Sequence, residues 1–260
     1  MNNTIPVLAR VVLKELYRRK DFYVLFILTA LITLLMALAN LFNDNKIVGY
    51  VKEVCLLLIW ISTLAMAVGT TARQIPAECE NRTIFPLLAK PVTRAHVVAG
   101  KFLGCWLACG IALACFYLFL GVISGSFEHE LRALNYLETF WMHWMFLAVV
   151  IAMVLFGSVI FAAPSSNATI CLVIIIGVFL VGGHLDQVAI GRREPYRTGI
   201  SLIYYILPHL DWFDLRNLII AHTGLVDMGD CALASLYAAA YAAFFLFAAW
   251  LAFRRKALNR

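Results

Sequence analysis

The feature that most constrains this chain is the spacing of its charges. Uncharged runs of 22, 19, 26 and 23 residues separate Asp21 from Asp44, Glu53 from Arg73, Lys101 from Glu128 and Asp230 from Arg254. A helix needs about 20 apolar residues to cross a hydrocarbon core about 30 Å thick, so each run fits one crossing. A fifth run, residues 139–185, holds 47 residues, enough for two crossings, and Pro164-Ser165-Ser166-Asn167 supplies residues for the turn between them. Six spans are therefore expected, at about 22–42, 54–72, 102–123, 140–162, 168–185 and 231–253. The runs are continuously apolar rather than alternating, which excludes β-strands, and a helix satisfies its own backbone in lipid. The expected fold is an all-α polytopic membrane protein, with residues 1–260 as a single transmembrane domain.

Composition agrees, since 63% of the residues are hydrophobic and 14% charged, where a soluble chain carries about 25% charged residues. The net charge of +6 is unevenly placed. The termini and the even-numbered connections hold 14 of the 21 basic residues, and the other connections hold 11 of the 15 acids. Because basic residues mark the cytoplasmic face, both termini are expected there. The positive charge thus reports orientation, and no nucleic-acid partner is implied. Ala37-Leu38-Ala39 resembles a signal-peptidase site, but the apolar run before it is long for a signal, and loss of that span would conflict with the basic C-terminus. Six of the seven cysteines lie in or beside spans, where a thiol packs as a small apolar group, so no disulfide framework is implied.

Before the first span, Ile5, Leu8, Ala9, Val12, Leu13 and Leu16 fall on one helical face and Arg10, Lys14 and Arg18 on another. Residues 1–20 are expected to form an amphipathic helix in the membrane interface, with its basic stripe toward anionic lipid head groups. The connection at 74–98 is more informative. Its apolar clusters (Ile84, Phe85, Leu87, Leu88, then Val92, Val97, Val98) alternate with charges of both signs, as in a short helix half seated in a partner. Pro91 breaks that helix, and Thr93 can cap the next.

This segment, with Glu78 and Glu80, Arg82-Thr83-Ile84, Leu87-Leu88, Lys90-Pro91-Val92-Thr93-Arg94 and Gly100-Lys101 entering a span, resembles the signature of ABC type 2 permeases. The nearest subgroup is the permeases named for multi-copper enzyme maturation. The resemblance extends to the whole layout, and implies that the connection is a coupling helix docked in a cytoplasmic ABC ATPase. By position, Glu78, Glu80, Arg82, Thr83, Leu87 and Leu88 would frame that contact, while Lys90, Pro91 and Arg94 fix the turn into the third span. Pro86 departs from the family's usual polar or helix-favouring residue there, which splits the helix or makes Pro86 its first turn. The implied partners are an ATPase dimer carrying ATP and Mg²⁺, a second permease copy or paralogue, and membrane lipids. No cofactor, metal or catalytic residue is expected on this chain.

Residues 186–230 are too long for a turn, and their apolar pieces are too short to span. The resemblance implies re-entrant helices that gate the outer mouth, with Tyr204, Tyr205, Pro208, Asp211, Trp212 and Asp214 as gate residues. Asp211 or Asp214 can cap the second piece, and the aromatic residues suit an interface. Metal sites from His209, Asp211, Asp214 and His222, or from Met142, His143 and Met145, are the sharper alternatives. Capping accounts for the aspartates, and an aromatic belt with Trp141 and Trp144 for the others. No span carries Lys, Arg, Asp or Glu near its centre, which argues against ion-coupled transport. Gly100-Lys101 lacks the upstream glycine of a P-loop. Energy is therefore expected from a partner, in an ATP-driven exporter. The alternatives from other classes are an intramembrane enzyme acting on lipids or peptides and a membrane anchor.

Overall fold

The structure, a computed structural model, describes residues 4–17, 20–39, 45–80, 93–128, 133–190, 198, 201, 202, 204, 207–220, 224 and 226–255. All regular elements among these are helical: α1 (Thr4–Tyr17), α2 (Lys20–Ala39), α3 (Asn45–Thr71), α4 (Pro76–Glu80), α5 (Arg94–Glu128), α6 (Ala133–Ile160), α7 (Pro164–Ile190), a 3₁₀ turn (Leu210–Phe213), α8 (Arg216–Ile220) and α9 (Met228–Arg255). Five helical stretches among the described residues are long and apolar enough to cross a membrane: Gly49–Glu80, Arg94–Gly125, Ala133–Ile160, Pro164–Gly182 and Met228–Arg255. The chain is a multi-pass membrane protein.

Helix α6 is the axis of the bundle, with α9, α5, α3 and α7 around it. Its apolar stretch is 78% buried, against 22% for those of α7 and α9. Those two helices therefore leave most of their apolar surface outward. In water such surface would drive aggregation, whereas in lipid it is the expected exterior.

Without a hydrophobic force between helices in lipid, close approach through small residues must hold such a bundle. Helix α1 lies against the start of α5 in this way. A Cβ added at Gly100 would stand 2.7 Å from Leu8 Cβ, and one at Gly104 would stand 2.6 Å from Val12 Cβ. The amphipathic face seen in the sequence is thus spent on a protein neighbour, with Ala9 and Val12 buried and Arg10 and Lys14 exposed. Further along α5, Gly110 makes room for Trp144 of α6. Trp106 and Trp144 stack at 4.4 Å, and each indole N–H donates to the other's carbonyl, at 3.1 and 3.2 Å.

Two boundaries differ from expectation. The reversal between α6 and α7 falls at residues 161–163, and Pro164 begins α7, because a proline at the first helical position gives up an N–H that has no partner there. Asn167 then turns inward, fully buried, and donates to Val154 O at 3.2 Å. Helix α5 begins at Arg94, well before Lys101. Thr93 caps it: its hydroxyl accepts the His96 N–H at 3.3 Å and His96 Nδ1 accepts the Thr93 N–H at 3.4 Å, a capping box with histidine as its third-position partner.

Candidate functional site

Polar side chains gather at the two ends of the bundle. At the end where α1, α4 and the two extremities of α5 and α9 meet, Glu78 and Lys101 form an ion pair of 2.5 Å, with side chains 16% and 5% exposed. Lys101 thus stands inside the helix start and beneath α4, where its charge is matched. Arg94 reaches across to α9 and donates to the carbonyls of Phe253 and, at 3.0 Å, Arg254, with its guanidinium 5.3 Å from the Phe253 ring centre. These carbonyls belong to the last turn of α9, which lacks intrahelical donors and carries partial negative charge. The sequence assigned Arg94 to the turn preceding α5. Arg94 also reaches α9, and Thr93 caps the start of α5.

Of the other expected coupling residues, Glu80 ends α4 and is exposed. Arg82, Thr83, Leu87, Leu88, Lys90 and Pro91 lie outside the described residues, as do Arg18, Tyr205 and His222.

At the distal end, the segment 207–220 folds back against α3, α6 and α7. Leu210, Phe213, Leu218 and Ile219 are buried, and α6 supplies donors for backbone that would otherwise be orphaned in an apolar setting. Asn135 Nδ2 donates to Leu218 O at 3.0 Å and the Thr139 hydroxyl lies 3.3 Å from Leu215 O. Asp214 accepts from the Arg216 backbone N–H at 3.3 Å and from its guanidinium at 2.7 and 2.6 Å. Asp214 therefore primes the entry to α8, and its hydrogen bonds push the Arg216 pKa up, so the guanidinium stays charged although half-buried. Asp211 lies exposed in the 3₁₀ turn.

Tyr204 and Trp212, two of the residues expected at a gate, lie beside His209. Its backbone N–H donates to Tyr237 Oη at 2.9 Å. Its ring centre is 4.3 Å from that of Tyr204, 5.1 Å from Trp212 and 6.4 Å from Tyr237. Pro208 precedes it and is buried. No group of three or more potential metal ligands occurs among the described residues.

Between the ends, the structure brings together a cluster that sequence reading missed. His143 is fully buried, with Nε2 3.0 Å from Thr63 Oγ1, Nδ1 3.4 Å from Tyr117 Oη, and its ring stacked on Trp60 at 4.5 Å. Because the Thr63 hydroxyl donates to Ile59 O at 2.7 Å, it accepts from His143 Nε2–H, which leaves Nδ1 to accept from Tyr117. Arg216 approaches from the distal end, its guanidinium carbon 5.7 Å from the Trp60 ring centre. The expected aromatic belt at Met142, His143 and Met145 is corrected accordingly: all three are buried, and of that group only Trp141 is exposed. A signal did exist in the sequence. Asn135, Thr139 and His143 fall at i, i+4 and i+8, one polar stripe along an apolar helix.

A bundle of long apolar helices, with its charged side chains gathered toward the ends among the described residues, defines a helical integral membrane protein. The family described as ABC-2 family transporter protein matches residues 10–258, and the chain belongs to it. It is a membrane component of an ABC transporter, and the ATPase is not part of such a subunit. Among the curated proteins, none matches.

Proposed function

We propose that this chain is the permease half of an ATP-driven exporter in a bacterial cytoplasmic membrane, with α2 as a sixth crossing and both termini in the cytoplasm. Two copies, or one copy and a paralogue, would form a twelve-span assembly above an ATPase dimer that binds ATP and Mg²⁺. The observation that carries the reading is the junction at Arg94 and Lys101. Lys101 is tied to α4, the first element of the coupling connection, and Arg94 is tied to the end of α9. A push on residues 74–98 is therefore felt at once by α5 and α9, and α6 packs against both.

At the far end, α6 also holds the backbone of segment 207–220 through Asn135 and Thr139. Tilting α6 relative to α3 would strain those bonds and shift the gate formed by Tyr204, Pro208, Asp211, Trp212 and Asp214. Arg10 and Lys14 would face anionic lipid and keep α1 as a fixed bearing for α5.

Co-purification and transport assays test this reading. In mild detergent a nucleotide-binding subunit should accompany the protein, and Glu80→Lys or Arg82→Glu should weaken its retention and abolish ATP-dependent transport. Intact transport in both variants would remove the coupling role.

A further inference from the structure

A cavity of about 600 Å³ opens at the distal end between α6, α9 and the 3₁₀ turn. We propose that it binds an organic cation, a quaternary or protonated ammonium on an apolar tail, and that such a cation is cargo of the transporter. The second half of this proposal rests on the transport reading above, whereas the first does not.

Two aromatic rings form adjoining walls: Trp212 and Tyr237, with centres 5.3 Å apart and planes inclined by 40°. Tyr237 is held rigidly, since its hydroxyl accepts the His209 N–H and its ring lies within 9° of parallel to the His209 imidazole. Trp212 is 51% exposed, so its indole offers a free surface. Met142 and Leu215 contribute apolar and polarizable surface, and Asp230 is the acidic residue of the lining. Aromatic faces beside a carboxylate attract cations through the ring quadrupole, and recognition of ammonium groups is the recurrent use of that arrangement.

The surrounding charge points the same way. Asp211 and Asp227 are exposed nearby, and Glu138 Oε2 lies 3.4 Å from the Val226 backbone N–H. Among the described residues Asp230 has no cationic partner, while the guanidinium of Arg216, also at this end, is taken up by Asp214. An anion entering here would meet like charge, and a neutral polar molecule would find little to satisfy its hydrogen bonds. A cation would meet a focused negative field in an apolar setting. Leu233 lines the cavity and Leu236 follows on α9, and both are exposed, so a tail could leave along that helix. The volume suits a drug-sized molecule.

Calorimetry on the purified full chain in a maltoside detergent tests the site, with hexyltrimethylammonium, hexanol and hexanesulfonate as probes. The cation should bind and the sulfonate should not. Trp212→Leu and Asp230→Asn should each weaken cation binding about tenfold, while Asp230→Glu retains it. Equal binding of all three probes, or unchanged cation affinity in Asp230→Asn, would overturn the site. Asp230 is exposed in the first turn of α9, so that variant carries the test even if Trp212→Leu does not fold. Cation-stimulated ATP hydrolysis in the assembled complex is read separately. Binding without stimulation would refute the cargo role and leave the site standing, and stimulation that survives Asp230→Asn would refute the site and leave transport standing.

Discussion

The two ends of this bundle are held by different chemistry. At the junction end, one buried ion pair, one arginine on a helix terminus and two glycines under α1 fix α1, α4, α5 and α9 to one another. At the distal end, aromatic faces and hydrogen bonds from α6 side chains to backbone carbonyls hold a short folded-back segment to its neighbours, and the Asp214–Arg216 ion pair lies within that segment. A buried charge pair has a steep energy well, because separating it leaves an uncompensated charge. Stacked rings and single hydrogen bonds to neutral carbonyls are each worth about 0.5–1.5 kcal/mol and can be exchanged for similar contacts. The difference fits the proposal that the junction end transmits force and the distal end opens.

Four substitutions would sharpen or break this contrast. Glu78→Gln should have the largest effect, lowering stability by about 3–5 kcal/mol, as for other buried pairs that lose one partner. Thermal unfolding in detergent measures it, and Glu78→Gln with Lys101→Met should recover much of the loss. If the single variant unfolds like the unmodified protein, the junction end is not held by charge. Gly104→Val comes next, at about 1–3 kcal/mol for an overpacked contact, since its Cβ would lie 2.6 Å from Val12 Cβ. Limited proteolysis should then release the N-terminal segment, and unchanged protection would argue against α1 as a bearing.

A smaller cost, about 1–2 kcal/mol, is expected for His143→Phe, which keeps the stack on Trp60 but leaves the Tyr117 hydroxyl without its ring nitrogen. Denaturation midpoints compare it with Thr63→Val, which should cost less if the imidazole is the centre of the cluster. Asp214→Asn should change stability least, by about 1 kcal/mol, because Asp214 and Arg216 side chains are each 21% exposed. Its effect should instead appear in the distal segment, as faster cysteine labelling at position 212 in a Trp212→Cys background. Equal labelling rates would show that the distal segment is fixed as firmly as the junction.

Much of the fold was legible because lipid imposes a simple rule on sequence. Long uncharged runs became helices, the periodicity of residues 5–13 became an amphipathic face, and Thr93 became a cap. The rule failed where a charge was matched rather than solvated. Lys101 reads as the fence before a span, yet it sits inside α5, because Glu78 neutralises it. It failed again at His143, whose neighbours in sequence are tryptophans but whose neighbours in space are Thr63 and Tyr117, from helices 80 and 26 residues away.

The sequence by itself determined that the chain is helical and lives in lipid, since both follow from the solvent each residue can tolerate and from local backbone satisfaction. Which neighbour each helix face meets, that Arg94 grips α9, and that Trp212, Tyr237 and Asp230 share one cavity were decided only by tertiary packing. Those facts depend on pairs of residues far apart in the chain, and no local periodicity encodes which distant partner a side chain will meet.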